Sequence, residues 1–135
     1  MTDPRDRIRL ACLDMAGTTV GDDGTVVAAF THAMAAQGVQ EGSDRFEAAL
    51  DYVRATMGES KIRVFRALFD GDEDAAASAN GAFEDAYGRI VADGGMTPIL
   101  GAVEAMAALR AGGVKVCLTT GFSPPTRDAI LDALG

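Results

Sequence analysis

Residues 8–20, IRLACLDMAGTTV, constrain the fold of this 135-residue chain more than any other segment. Ile8, Leu10, Ala11, Cys12 and Leu13 form a near-continuous apolar run, the pattern of a strand buried on both faces in a parallel sheet. Asp14 ends the run, and packing gives no reason for a carboxylate there. In open α/β sheets ligands bind beyond the carboxyl ends of the strands, so Asp14 stands where such folds build sites. Ala16, Gly17, Thr18 and Thr19 follow with small side chains and backbone N–H groups, the composition that lets a phosphate or phosphonate approach the main chain. The plainer alternative is that Asp14 caps a turn.

The remaining sequence reads as helices around one more strand. Gly21, Asp22, Asp23 and Gly24 make a turn-rich linker. Residues 25–37 then carry Val26, Val27, Phe30 and Met34 at helical intervals and stop at Gly38. Residues 43–56 open on a Ser43 or Asp44 cap and place Phe46, Leu50 and Val53 on one side. Residues 60–69 and 73–92 are helical too, separated by Gly71 and closed by Gly94 and Gly95, and no strand is expected between 25 and 95. After Pro98, residues 99–110 form an amphipathic helix. Residues 114–119, VKVCLT, give a second buried strand that ends, like the first, in small polar residues: Thr119, Thr120 and Gly121. The order implies an α/β fold with a parallel-sheet core interrupted by an all-helical block. Two strand ends side by side could hold one anion, although Thr120 would equally suit an N-cap of the helix that follows.

Composition narrows the partners. A formal net charge of −8 argues against nucleic acid or an anionic membrane as a general partner, while a small phosphorylated molecule remains compatible through local charge. Cys12 and Cys117 have no metal-type spacing and lie in apolar runs, so they read as buried, reduced thiols. No signal-peptide core or membrane-length segment is evident, and a cytoplasmic protein is expected. The single histidine, His32, lies in a helical stretch and reads as structural or exposed.

Three separated motifs resemble those of the haloacid dehalogenase superfamily, and within it the phosphonoacetaldehyde hydrolase (phosphonatase) branch. They are DMAGTT at 14–19, MGESK at 57–61 followed by IRVFRAL, and LTTGFS at 118–123. The resemblance implies a partial Rossmann-like core over residues 1–20 and 97–135 with a helical cap inserted at 21–96. It implies that Asp14 attacks phosphorus to form an aspartyl-phosphate, with Mg²⁺ held by the Asp14 carboxylate and the backbone carbonyl of Ala16. Thr120 and the N–H groups of Gly17 and Gly121 would hold the transferring group's oxygens. Lys61, flanked by Met57 and Gly58, would form a Schiff base with an aldehyde.

Ala16 discriminates among branches, because phosphate-ester members carry there a second Asp that protonates the leaving oxygen. A C–P bond needs no such acid when an iminium on Lys61 accepts the electrons. Without its neighbours Lys61 would read as a solvated helix-face lysine. Two departures stand out: Val64 occupies the place of a family histidine three residues after the lysine, and Phe122 that of a frequent tyrosine. The family's third and fourth motifs, a basic residue and acidic metal ligands, are expected after the second core helix, and no G-D-[ST]-x-x-D segment is present in these residues. The expected activity is hydrolysis of phosphonoacetaldehyde or a related small phosphonate, with a homodimer formed through the cap. The alternatives are a phosphatase acting on a small phosphate ester, with Lys61 as a binding group, or a catalytically inactive truncated product.

Overall fold

The structure, a computed structural model, describes residues 8–22 and 24–135. Residues 1–7, assigned to the core by sequence, and Asp23 of the linker lie outside the described residues. The chain divides into two compact units. One comprises the residues up to Gly21 together with Thr97–Thr120, and the other comprises Asp22–Met96 with Gly121–Gly135.

In the first unit, β1 (Leu10–Asp14) pairs in parallel with β4 (Lys115–Thr119). The register runs from Leu10↔Lys115 to Asp14↔Thr119, so the carboxyl ends of both strands lie level. Helix α5 (Ala102–Ala111) makes the crossover into β4. Where the chain leaves and re-enters this unit, the two-residue strands β2 (Val20–Gly21) and β3 (Thr97–Pro98) pair antiparallel, and the Ile99 N–H extends the pairing by donating to the Thr19 carbonyl at 3.0 Å. Two-residue strands carry no periodicity, which is why the sequence gives no sign of them.

The expectation of strands buried on both faces is corrected here. Along β1 and β4 residues alternate between exposed and half-buried, Leu10 is 53% exposed, and α5 buries no residue. Parallel strands are buried only when further strands and helices cover them, and among the described residues no third strand joins this sheet. Cys12 and Cys117 are consequently exposed, not buried thiols. Their apolar sequence neighbours specify a strand, whereas burial depends on cover supplied from elsewhere in the fold.

The second unit is helical: α1 (Thr25–Ala36), α2 (Asp44–Ala55), α3 (Lys61–Leu68), α4 (Glu73–Ala92) and α6 (Pro124–Leu134). Four alanines, Ala29 and Ala33 of α1 with Ala76 and Ala79 of α4, are completely buried. Small buried side chains let helix axes approach one another, and α1 and α4 form the most extensive helix pair. Around them runs a chain of aromatic contacts: Phe46 to Phe30 (6.1 Å between ring centroids), Phe30 to Phe65 (6.0 Å), Phe65 to Phe83 (6.1 Å) and Phe83 to Tyr87 (5.6 Å).

Local signals fix the helix ends. Ser43 Oγ accepts from the Phe46 N–H at 3.2 Å and Asp72 Oδ1 from the Ala75 N–H at 3.0 Å, both ordinary N-caps. Gly38, at φ 75°, lets the Val39 N–H fold back onto the Met34 carbonyl and end α1. Residues 121–135, grouped with the core in the sequence reading, cluster with the helices because α6 packs on α4 and buries Thr126 and Ile130. Among the described residues no helix is long and apolar enough to cross a membrane.

Candidate functional site

Asp14 is the last residue of β1, and its side chain is exposed. The turn after it is tightly wound. Asp14 Oδ1 accepts from the Met15 N–H at 2.9 Å, and the Asp14 carbonyl accepts from Thr19 Oγ1 at 3.0 Å. The Met15 carbonyl collects the N–H groups of Thr18, Thr19 and Val20 at 3.1, 3.0 and 2.9 Å, and the Met15 N–H reaches across to the Thr119 carbonyl at 3.0 Å. Met15 itself is 2% exposed. Its side chain anchors the turn while its backbone ties the end of β1 to the end of β4, leaving the Asp14 carboxylate at the rim.

Gly17 sits at φ 79° in this turn, a conformation that costs glycine little. Its N–H donates to the Val20 carbonyl at 2.8 Å. The donor expected to hold a substrate oxygen thus closes the turn in this structure. The same bond belongs to a bridge between Ala16 and Val20, whose hydrogen bonds run through Met15 and Gly17 and leave the Ala16 carbonyl out. A carboxylate and a backbone carbonyl are hard oxygen donors of the kind Mg²⁺ takes, and Mg²⁺ commonly binds one or two carboxylates and retains waters. Asp14 and Ala16 fit that chemistry. Among the described residues no group of three His, Cys, Asp or Glu side chains gathers to add to them.

Thr120 follows β4 and is half-buried. It does not cap the next helix, since Ser123 is the N-cap of α6. Thr119, opposite Asp14, directs its Oγ1 to the Leu13 carbonyl at 3.4 Å.

The remaining expected residues lie in the helical unit. Met57, 46% exposed, and Gly58 form the turn between α2 and α3, with Gly58 at φ 95°. The turn delivers Lys61 as the first residue of α3. Lys61 is 9% exposed, and its Nζ donates to the Glu59 carbonyl at 3.4 Å. Burial pushes the amine's pKa below its ordinary value, while the carboxylates of Asp22 and Glu59 act in the opposite direction. A lysine so placed spends more of its time neutral than a solvated one, as a nucleophilic amine must.

Gly121 packs against this same turn. A β-carbon built on it would fall 3.0 Å from the Glu59 carbonyl oxygen and closer still to that of Gly58. The third sequence motif thus meets the second, glycine against backbone. The next residue, Phe122, sets its ring against Tyr87 at 4.8 Å between centroids, the two planes tilted by 46°.

Two further residues belong to this cluster and were not expected from sequence. Tyr87 is wholly buried, donates its hydroxyl to Met96 Sδ at 3.4 Å, and has its pKa driven up first by burial and then by Asp22. Asp22 begins the unit, with Oδ1 accepting from the Val26 N–H at 3.1 Å, and its charge reaches both Lys61 and Tyr87. No spacing rule connects a linker aspartate to a lysine on another helix. The structure therefore gathers Asp14, Ala16, Gly17 and Thr120 in one unit, and Met57, Gly58, Lys61 and Gly121 in the other. His32 is exposed on α1.

Residues 8–135 match the family model described as haloacid dehalogenase-like hydrolase. Among solved structures, the chain is similar to a hydrolase from Pseudomonas syringae, with 20% identity and a TM-score of 0.76 over 94% of this chain and 55% of that one. It is similar to a predicted phosphoglycolate phosphatase from Haemophilus somnus 129PT, with 18% identity and a TM-score of 0.71 over 95% and 58%. It is also similar to a phosphonoacetaldehyde hydrolase-like protein from Oleispira antarctica, with 24% identity and a TM-score of 0.74 over 93% and 49%. At these identities the likeness is one of fold, and the chain spans between 49% and 58% of the length of these relatives. No curated protein matches the chain.

Proposed function

This chain belongs to the haloacid dehalogenase-like hydrolase family, and from that premise we propose that it works as a phosphonatase-like hydrolase, cleaving the C–P bond of phosphonoacetaldehyde or a related small phosphonate. The observation that carries the reading is Lys61, a buried amine with its pKa pushed down, set on the helix that follows the MGESK turn. Ala16 supports it, since a methyl group two residues after Asp14 cannot protonate a leaving alkoxide.

In this reading the Lys61 amine condenses with the substrate aldehyde, releasing water and giving an iminium. Asp14 then attacks phosphorus. The P–O bond forms, the C–P bond breaks, and its electron pair passes into the iminium to give an enamine. Water hydrolyses the aspartyl-phosphate, while protonation and hydrolysis of the enamine release the aldehyde and restore Lys61. Asp14 and the Ala16 carbonyl would hold Mg²⁺, whose chemistry here is to screen the repulsion between the carboxylate and the incoming anion. Gly121 and Thr120 would position the phosphonyl oxygens, and Met57 and Gly58 would shape the surroundings of the lysine. An acidic protein with a small anionic substrate, a dimer formed through the helical cap and a cytoplasmic location complete the proposal.

Borohydride added in the presence of phosphonoacetaldehyde tests it. The expected result is a reduced covalent adduct on Lys61, absent without the aldehyde and absent in Lys61→Arg; an unmodified Lys61 rejects the Schiff base. A second reading, a phosphatase acting on a small phosphate ester with Lys61 as a cationic binding group, draws on Asp22 and Glu59, which favour the ammonium form. Phosphate release faster from an ester than from the C–P substrate would favour that reading. Release from neither substrate, with no Mg²⁺ binding, would mark the chain as inactive by itself.

A further inference from the structure

Cys12 of β1 and Cys117 of β4 are direct partners in the parallel register. Paired residues on neighbouring strands send their side chains to the same face, and both thiols are free and exposed. Neighbouring strands run about 4.8 Å apart, inside the range of roughly 4.4–6.8 Å between α-carbons that a disulfide spans. Strand pairing leaves the β-carbons somewhat farther apart than the roughly 3.8 Å of a relaxed bridge. Closure therefore draws the strands slightly together, and exposed, strained disulfides are the ones reduced most easily. Among the described residues no third ligand gathers with the pair to build a metal site, so its chemistry is that of two adjacent thiols.

We infer that Cys12 and Cys117 form a reversible cross-strand disulfide site, oxidised by low-molecular-weight disulfides such as glutathione disulfide. One cysteine, as its thiolate, attacks a sulfur of the small disulfide, whose S–S bond breaks to release one small thiolate. The other cysteine, giving up its proton, attacks the protein sulfur of the mixed disulfide and expels the second small thiolate. The two small thiolates take up the two protons. Two protein thiols are oxidised, and one small disulfide is reduced to two thiols. The bond clamps β1 to β4 two residues before the Asp14↔Thr119 pair, at the strand ends that bear the proposed nucleophile. The site is independent of the activity proposed above.

The test equilibrates the full chain with mixtures of glutathione and glutathione disulfide, blocks the remaining thiols by alkylation, and reads intact mass and peptides under non-reducing conditions. Both thiols are expected to disappear together, with loss of two hydrogens, no retained glutathione and a cross-linked peptide joining Cys12 to Cys117, all reversed by dithiothreitol. Phenylarsine oxide, which bridges two neighbouring thiols, is expected to bind one equivalent per chain. In Cys12→Ser or Cys117→Ser its affinity falls by about 100-fold or more as the chelate is lost, and the remaining cysteine retains glutathione. Independent glutathionylation of both cysteines in the unaltered chain, disulfides only between chains, or arsenical affinity unchanged in the single variants would each overturn the inference.

Discussion

Lys61 is held between opposing influences, and the balance is open to a single substitution. Burial favours the neutral amine, whereas Asp22 and Glu59 favour the ammonium. Removing the Asp22 charge leaves burial less opposed, so Asp22→Asn is expected to lower the Lys61 pKa further. Competitive acetylation of Lys61, followed by mass spectrometry across a pH series, reads this directly, and a midpoint that stays put or rises contradicts it. Gly121 offers a second test at this scale. Its φ is not in the left-handed region, so the objection to a side chain is the proximity of the Gly58 and Glu59 carbonyls alone. Gly121→Ala is expected to destabilise the chain by about 1–3 kcal/mol, the range for forcing an extra methyl into a packed site, measured by urea unfolding. A neutral effect would mean that the turn at Gly58 yields freely.

Among the elements, the helices were legible through local signals: apolar residues at helical spacing, Ser43 as a cap, Gly38 as a stop, whereas the Asp72 cap of α4 emerged only in the structure. What could not be read was the connection between helices. Lys61 stands out in sequence through Met57 and Gly58 beside it, but Asp22, on another element, acts on it only through folding, and the same carboxylate acts on Tyr87. Tyr87 shows what such a connection does to a titrating group. Burial, followed by the Asp22 carboxylate, raises its folded pKa above the ordinary value of 10.0. A raised folded pKa means stability that is fully present below the unfolded pKa and lost as pH rises from there through the folded value. Urea unfolding of the unaltered chain is thus expected to show falling stability above pH 10. Tyr87→Phe should flatten that alkaline loss, at the cost of about 1 kcal/mol at neutral pH for the missing hydrogen bond. An equally steep alkaline decline in the variant would assign the loss to other groups.

For the molecule as a whole, the two units differ in how completely their own residues cover them. In the helical unit Phe30, Phe65, Phe83 and Tyr87 are at most 1% exposed. In the unit of β1 and β4, Ile8 is 74% exposed, Leu100 fully so, and α5 buries nothing. The apolar runs at 8–13 and 114–118 correctly announced strands, and the parallel pairing places Asp14 at a shared carboxyl end. They announced burial wrongly because apolar character records what a strand can bury, while burial itself depends on the cover supplied by other elements. Local opening free energy follows that cover. Hydrogen exchange should therefore separate the units: backbone amides of β1 and β4 are expected to exchange at least about tenfold faster than those in the middle of α1 and α4, where buried contacts must break before the amide opens. Equal protection in both units would show that the exposed strand faces are covered in solution, and would also predict slow access of thiol reagents to Cys12 and Cys117.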